Sequence, residues 1–182
     1  EDKARELVDS GVKWIRIPIY GTTPEMHEPL MGNIKNSFYD SLQSLIHFIK
    51  AGALVNFQTL ISKYNKENMA DIIIMFLEIC KKYSPHGLNA ISDINISTPS
   101  IADPITIEKI IDLESYYIPL KELGPYVKPI NDLLETFDSD KIHIREIPYC
   151  LAGKDSKHIF NDFEKENLAN MVGLQKPDKI VA

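Results

Sequence analysis

The sequence predicts an α/β fold built on parallel strands, and three observations carry that prediction. Val12 to Tyr20 (VKWIRIPIY) is rich in β-branched and aromatic residues between Gly11 and Gly21, the pattern of a buried strand. An amphipathic helix follows from Ser37, with Phe38, Leu42, Leu45, Ile46 and Ile49 at the offsets of one face and Gly52 just past its end. Ala53 to Ser62 (ALVNFQTLIS) then begins a second strand, and a strand that returns after one helix lies parallel to the first. Gly11 to Asn65 therefore reads as a βαβ unit.

The other elements follow in chain order. Asp2 to Ser10 reads as a helix, with Leu7 and Val8 as its apolar residues. The loop GTTPEMHEPLMGNIKN links the first strand to the helix that Ser37 caps. Asn65 reads as the N-cap of a helix to Lys82, whose stripe is Met69, Ile72, Ile73, Phe76, Leu77 and Cys80. On that stripe Cys80 reads as a buried thiol packing as a small hydrophobe. Ser84-Pro85-His86-Gly87 stops the helix, and Leu88 to Ser97 (LNAISDINIS) is a third strand.

Within Thr98 to Leu123 a short helix is expected over Ile105 to Glu114, bracketed by Pro99 and Pro119, as an insertion over the site. Gly124-Pro125 opens the next helix, with Tyr126, Ile130, Leu133, Leu134 and Phe137 on one face and Pro129 near its first turn. Lys141 to Ile147 alternates polar residues with Ile, a half-buried strand that Pro148 stops. The tail from Lys154 reads as a short helix or loop that frays from Lys176. Alternation of this kind means a parallel sheet with helices outside, either an open doubly wound sheet or part of a (β/α) barrel.

At 182 residues the chain is long enough for one domain with a proper core. A hydrophobic content of 44% and a charged content of 25% are ordinary for a globular protein. The net charge of -6, without a basic run or a Lys/Arg stripe, argues against a nucleic-acid or anionic-membrane partner. The longest apolar run, Ile72 to Leu77, is too short to span a bilayer. Two cysteines make no disulfide framework, so a cytoplasmic setting is the default expectation.

The run GVKWIRIPIYGTTPEMHEPLMGNIKNSFYDSLQSLIHFIKAGALVNFQTLIS resembles the middle of the radical S-adenosylmethionine (SAM) enzyme core. There a strand ending in a small polar tip and glycine is followed by an acidic-His loop, Gly, Ser-Phe, an amphipathic helix and a parallel strand. KIHIREIPYCLAG is similar to a late barrel strand of that family. The resemblance covers roughly residues 5 to 160 and rests on order and spacing. It implies a partial (β/α) barrel with parallel strands, 1–160 forming the C-terminal portion of the core and 161–182 an extension or tail. It also implies two cofactors, SAM and a [4Fe-4S] cluster, and an unknown substrate, a small molecule or peptide.

That family holds its cluster with C-x-x-x-C-x-x-C, and this chain has only Cys80 and Cys150. Glu1 stands inside what reads as a helix, so the expectation is a C-terminal fragment whose upstream part carries the cluster loop. Alone, it is expected neither to bind a cluster nor to cleave SAM. The alternative is a non-catalytic, barrel-like binding module that has lost the iron-sulfur site. A third possibility, a barrel enzyme of another family, would want inward acids or a lysine at a strand end. Lys63 and Asp93 come nearest, neither with a partner at readable spacing.

In parallel α/β folds ligands sit at the carboxyl ends of the strands, which selects Pro18 to Thr22, Gln58 to Ser62, Asn95 to Thr98 and Pro148 to Gly153. By the resemblance, the tip Tyr20-Gly21 helps hold the SAM ribose, and Pro18 stands where a serine is commoner. Gln58 is polar among Val55, Phe57, Leu60 and Ile61, and a buried amide must be paired. An adenosyl or methionyl group would pair it, or neighbouring backbone would. Strand alternation puts either Asn56 and Gln58 or Phe57 and Thr59 on the inner face. Arg16 could reach a carboxylate of SAM or point outward to a helix acid. Glu25 and His27 invite an acid-base reading, with pinning of the loop as the stronger alternative. Cys150, in the Pro-Tyr-Cys-Leu turn after a strand, is a candidate substrate contact beside a packing role.

Overall fold

The computed structural model describes residues 1–97, 116–136, 144–145 and 159–160. Three strands, β1 (Trp14–Pro18), β2 (Leu54–Leu60) and β3 (Ile91–Ser97), form a sheet in the order β1-β2-β3, with every pairing parallel. The predicted parallel α/β fold is thus present as an open sheet, compatible with part of a barrel. A second parallel pair, β4 (Ile144–Arg145) with β5 (Ile159–Phe160), lies with β4 against β3.

Strand alternation divides the residues of β2 cleanly. Val55, Phe57 and Thr59 are buried, while Asn56, Gln58 and Leu60 are half-buried. The buried set packs with Ile17, Ile19, Ile94 and Ile96 against α3 (Ser37–Lys50) and α4 (Met69–Tyr83). Phe38, Leu45 and Ile49 supply the α3 side, and Ile72, Ile73, Phe76, Leu77 and Cys80 the α4 side. Phe57 stacks on Phe76 at 4.2 Å between ring centroids, joining strand to helix at the centre of this core. Cys80 is fully buried, and burial pushes its thiol up to about 12, so it packs as the small hydrophobe its stripe predicts. The first helix, α1 (Asp2–Asp9), leans on α3.

Several boundaries differ from the sequence reading. β3 begins at Ile91 because Gly87–Ala90 closes a 3-10 turn first. Within the loop after β1, Pro24–His27 forms a helical turn, α2, and Glu28–Met31 a 3-10 turn. α3 is entered from Asn36 in the left-handed region, so Ser37 is its first residue and not its cap. Lys66–Asn68 makes a 3-10 turn between Asn65 and α4.

The largest difference concerns the last helix, α5, which spans Leu120–Glu135 and opens after Pro119 instead of at Gly124-Pro125. Pro125 and Pro129 lie inside it on the exposed side, while Leu123, Val127, Ile130 and Leu134 are buried. Each proline removes an N–H from the exposed flank. The carbonyls left without that partner, on Lys121 and Pro125, belong to exposed residues that water can serve. Burial of the other flank carries the helix through both prolines.

Outside the described residues lie the expected helix over Ile105 to Glu114, most of the expected strand over Lys141 to Ile147, Cys150 and most of the tail, in which Ile159–Phe160 forms β5 where a short helix or loop is expected. The division between 1–160 and 161–182 falls there too. Among the described residues, no helix is long and apolar enough to cross a membrane.

Candidate functional site

The face of the sheet turned away from α3 and α4 carries the polar residues. Register places Arg16 beside Asn56 and Asn56 beside Asp93, forming one row across three strands. The next row, one step of the same face nearer the carboxyl ends, is Pro18, Gln58 and Asn95. Asp93 joins this face through an irregularity in the ladder: Val55 pairs with Ile91 but Asn56 pairs with Asp93, so Ser92 is the extra residue. A bulge of this kind flips the alternation and re-aims the side chains that follow. Ile94 and Ile96 are thereby sent into the core, and Asp93 and Asn95 to the polar face.

The two candidates on this face fall together. Asn56 and Gln58 look away from the helices and Phe57 and Thr59 toward them, which settles the alternation that the sequence left open. Among the described residues the Gln58 carboxamide makes no hydrogen bond, so it is not tied to neighbouring backbone, and it is half-buried. Arg16 is exposed, lies on the same face, and makes no ion pair with a helix acid among the described residues. Asn95 donates from Nδ2 to Oδ1 of Asn56 at 3.1 Å, cross-linking β2 and β3 on this face.

At the carboxyl end of β1 the backbone of Tyr20 is held from two sides. Its N–H donates to Nδ1 of His27 at 3.0 Å, and its carbonyl accepts from Nδ2 of Asn65 at 2.7 Å. His27 is fully buried, with its ring stacked against Tyr20 at 5.5 Å and edge-on to Phe38 at 5.8 Å. Burial holds the imidazole below its ordinary value, with the Glu28 charge and the Ser37 backbone pulling the other way. Burial also raises the phenol of Tyr20. Gly21 lets the loop come this close: a Cβ there would lie 2.4 Å from the Met26 Cβ and 3.0 Å from the His27 backbone nitrogen.

The pinning role read for the loop is therefore what His27 performs. Glu25 does not join it in an acid-base pair. Its carboxylate is held below the usual range by its own backbone N–H and then by Thr23, which orients it to the start of α2. Glu28 instead accepts from the backbone N–H of Asn36 at 2.7 Å, tying the same loop to the start of α3.

Asn65 is the residue that sequence reasoning missed as a site component. Besides opening the 3-10 turn, its fully buried side chain donates to the carbonyls of Tyr20 and Leu60 (2.6 Å). It accepts from the backbone N–H of Ser62 at 2.8 Å and from the Ser62 hydroxyl at 3.1 Å. One side chain thus joins the ends of β1 and β2. A signal was present in the Ser-x-x-Asn spacing directly after a strand, since Asn readily closes hydrogen-bonded turns to nearby backbone.

The polar face suits part of what the family resemblance implies. The carboxamide of Gln58 and the guanidinium of Arg16, neither with a side-chain partner among the described residues, are the donor and acceptor types that a ribose, an adenine edge and a methionyl carboxylate require. The iron-sulfur cluster does not fit this chain's own residues. A three-thiolate site cannot come from two cysteines, and Cys80 is a buried thiol held protonated inside α4. No family model matches the chain, and no curated protein matches it at a significant level.

Proposed function

We propose that this chain is part of a (β/α) barrel of the radical SAM type, and that the polar face of its sheet is the wall against which SAM and a substrate are held. The observation that carries the reading is Gln58. It is a half-buried carboxamide between Pro18 and Asn95, on the face away from the helices, with no hydrogen bond among the described residues. Its amide is free to pair with a ligand, and beside it in the same row Oδ1 of Asn95 is a buried acceptor with no partner among the described residues, a state that costs free energy unless something pairs it.

In this reading Gln58 and Arg16 hold the adenosyl and methionyl ends, and Tyr20-Gly21 borders the ribose. By the resemblance, SAM held by these residues would supply radical chemistry directed at a C–H bond of the substrate. This chain's residues bind, orient and exclude water, so that one C–H bond is presented to the reaction. The cluster would be held by thiolates other than this chain's two cysteines.

The test is a titration of the chain with S-adenosylhomocysteine, a non-reacting relative of SAM, followed by amide and side-chain chemical shifts. Saturable shifts at Gln58, Arg16 and Asn95 are expected. Binding elsewhere, or none, would remove the SAM reading.

A further inference from the structure

The described residues put two buried side chains on one residue's backbone. Both polar groups of the Tyr20 peptide, at the end of β1, are taken by side chains from other segments: the N–H by His27 and the carbonyl by Asn65. Neither bond belongs to the ladder, whose last contact here is the Ile19 N–H to the Gln58 carbonyl at 3.0 Å. The strand tip is therefore placed by these two residues and not by sheet pairing. Asn65 cannot change its charge. His27 can.

Nδ1 of His27 accepts a proton-bearing group, so the ring is neutral and carries its hydrogen on Nε2. Adding a proton would put N–H against N–H at Tyr20 and leave a charge inside a fully buried pocket. The Glu28 charge and the Ser37 backbone offset it in part, and burial outweighs both. On the strand side stands the Tyr20 phenol, which is neutral at these pH values; on its own turn stand Glu28 and the exposed Glu25; on α3 the neighbours are Ser37 and Phe38, neither ionisable near neutrality. Glu28 is already engaged by the Asn36 N–H.

We infer that His27 and Asn65 are positioning residues for the β1 tip, and that protonation of His27 releases the loop of residues 21–36 from that tip while the sheet stays folded. This rests on the reading that the strand ends form a binding site only for its consequence, since the release itself is a property of the fold. The sign follows from the direction of the shift. Because the folded state holds His27 below its ordinary value, the contribution is full above the unfolded value and is lost as the pH falls through the folded one.

Hydrogen exchange of the Tyr20 amide, read by NMR on the full chain and corrected for the intrinsic pH dependence of exchange, tests this between about pH 8 and about pH 5. The expected result is protection at the upper end, lost by at least about tenfold in step with the His27 titration, while the Phe57 and Asn95 amides in the sheet stay protected. His27→Asn keeps an acceptor at the position of Nδ1 without a titrating ring, and should keep Tyr20 protected throughout. His27→Ala should leave it unprotected throughout. If wild type and His27→Asn lose protection along the same pH course, or if the ring carries its proton on Nδ1, the inference is overturned. S-adenosylhomocysteine binding, followed across the same range, separates the two readings: absence of binding at every pH would sink the SAM proposal and leave the latch standing.

Discussion

Phe57 and Gln58 are neighbours in the chain and opposites in setting. Phe57 is fully buried and stacked on Phe76; Gln58 is half-buried, on the other face, and its carboxamide makes no hydrogen bond among the described residues. The same contrast runs through Val55 and Asn56 and through Ile94 and Asn95. One face of the sheet is specified by what α3 and α4 require of it. The other is polar although polar residues contribute less to a core, and that surplus polarity is the feature a binding reading has to explain.

The sharpest way to break the contrast is Phe57→Ala. It deletes the central side chain of the helix-facing core, and truncating a buried Phe typically costs about 3–5 kcal/mol. Chemical denaturation should show a correspondingly lower midpoint. A loss no larger than that of a polar-face substitution would mean that the two faces do not differ as described.

The strand tips sit between these extremes, with polar residues that are structural. Asn65→Leu removes four hydrogen bonds at once and strands the Tyr20 and Leu60 carbonyls and the Ser62 N–H. Each buried group left unpaired costs about 1–3 kcal/mol, and with water reaching some of them a total of about 2–4 kcal/mol is expected. A denaturation midpoint unchanged by Asn65→Leu would show that the tip is held by other means.

These cases also show how much was legible in the sequence. Periodicity was enough for β1, β2, α3 and α4, because each has one face whose burial writes itself into the pattern. It could not choose between the faces of β2: Val55, Phe57 and Thr59 alternate with Asn56, Gln58 and Leu60, and only packing against α4 decides. The face on which Asp93 lies was hidden for a related reason, since a period-two reading puts it on the face of Ile91 and the bulge at Ser92 reverses that. The two prolines of α5 are strong local stop signals overridden by burial of Leu123, Val127 and Ile130. The long-range bonds of Asn65 and His27 to Tyr20 span 45 and 7 positions, and no local pattern specifies the first of them.

The smallest expected effect on stability is the most informative for function. Gln58→Leu keeps most of the side-chain volume and removes the carboxamide. Since that amide has no partner among the described residues, nothing there is orphaned by its loss. The denaturation midpoint should stay within about 0.5 kcal/mol of wild type, as for a substitution away from any packed or bonded feature. If the amide pairs with bound SAM, a lost hydrogen bond of this kind costs about 0.5–1.5 kcal/mol. That is an affinity weaker by about two- to twelve-fold. Measuring S-adenosylhomocysteine affinity and midpoint on this one variant separates the possibilities. A lowered midpoint with unchanged affinity would place Gln58 among the structural polar residues beside Asn65, and the polar face would then lose the residue that most clearly calls for a ligand.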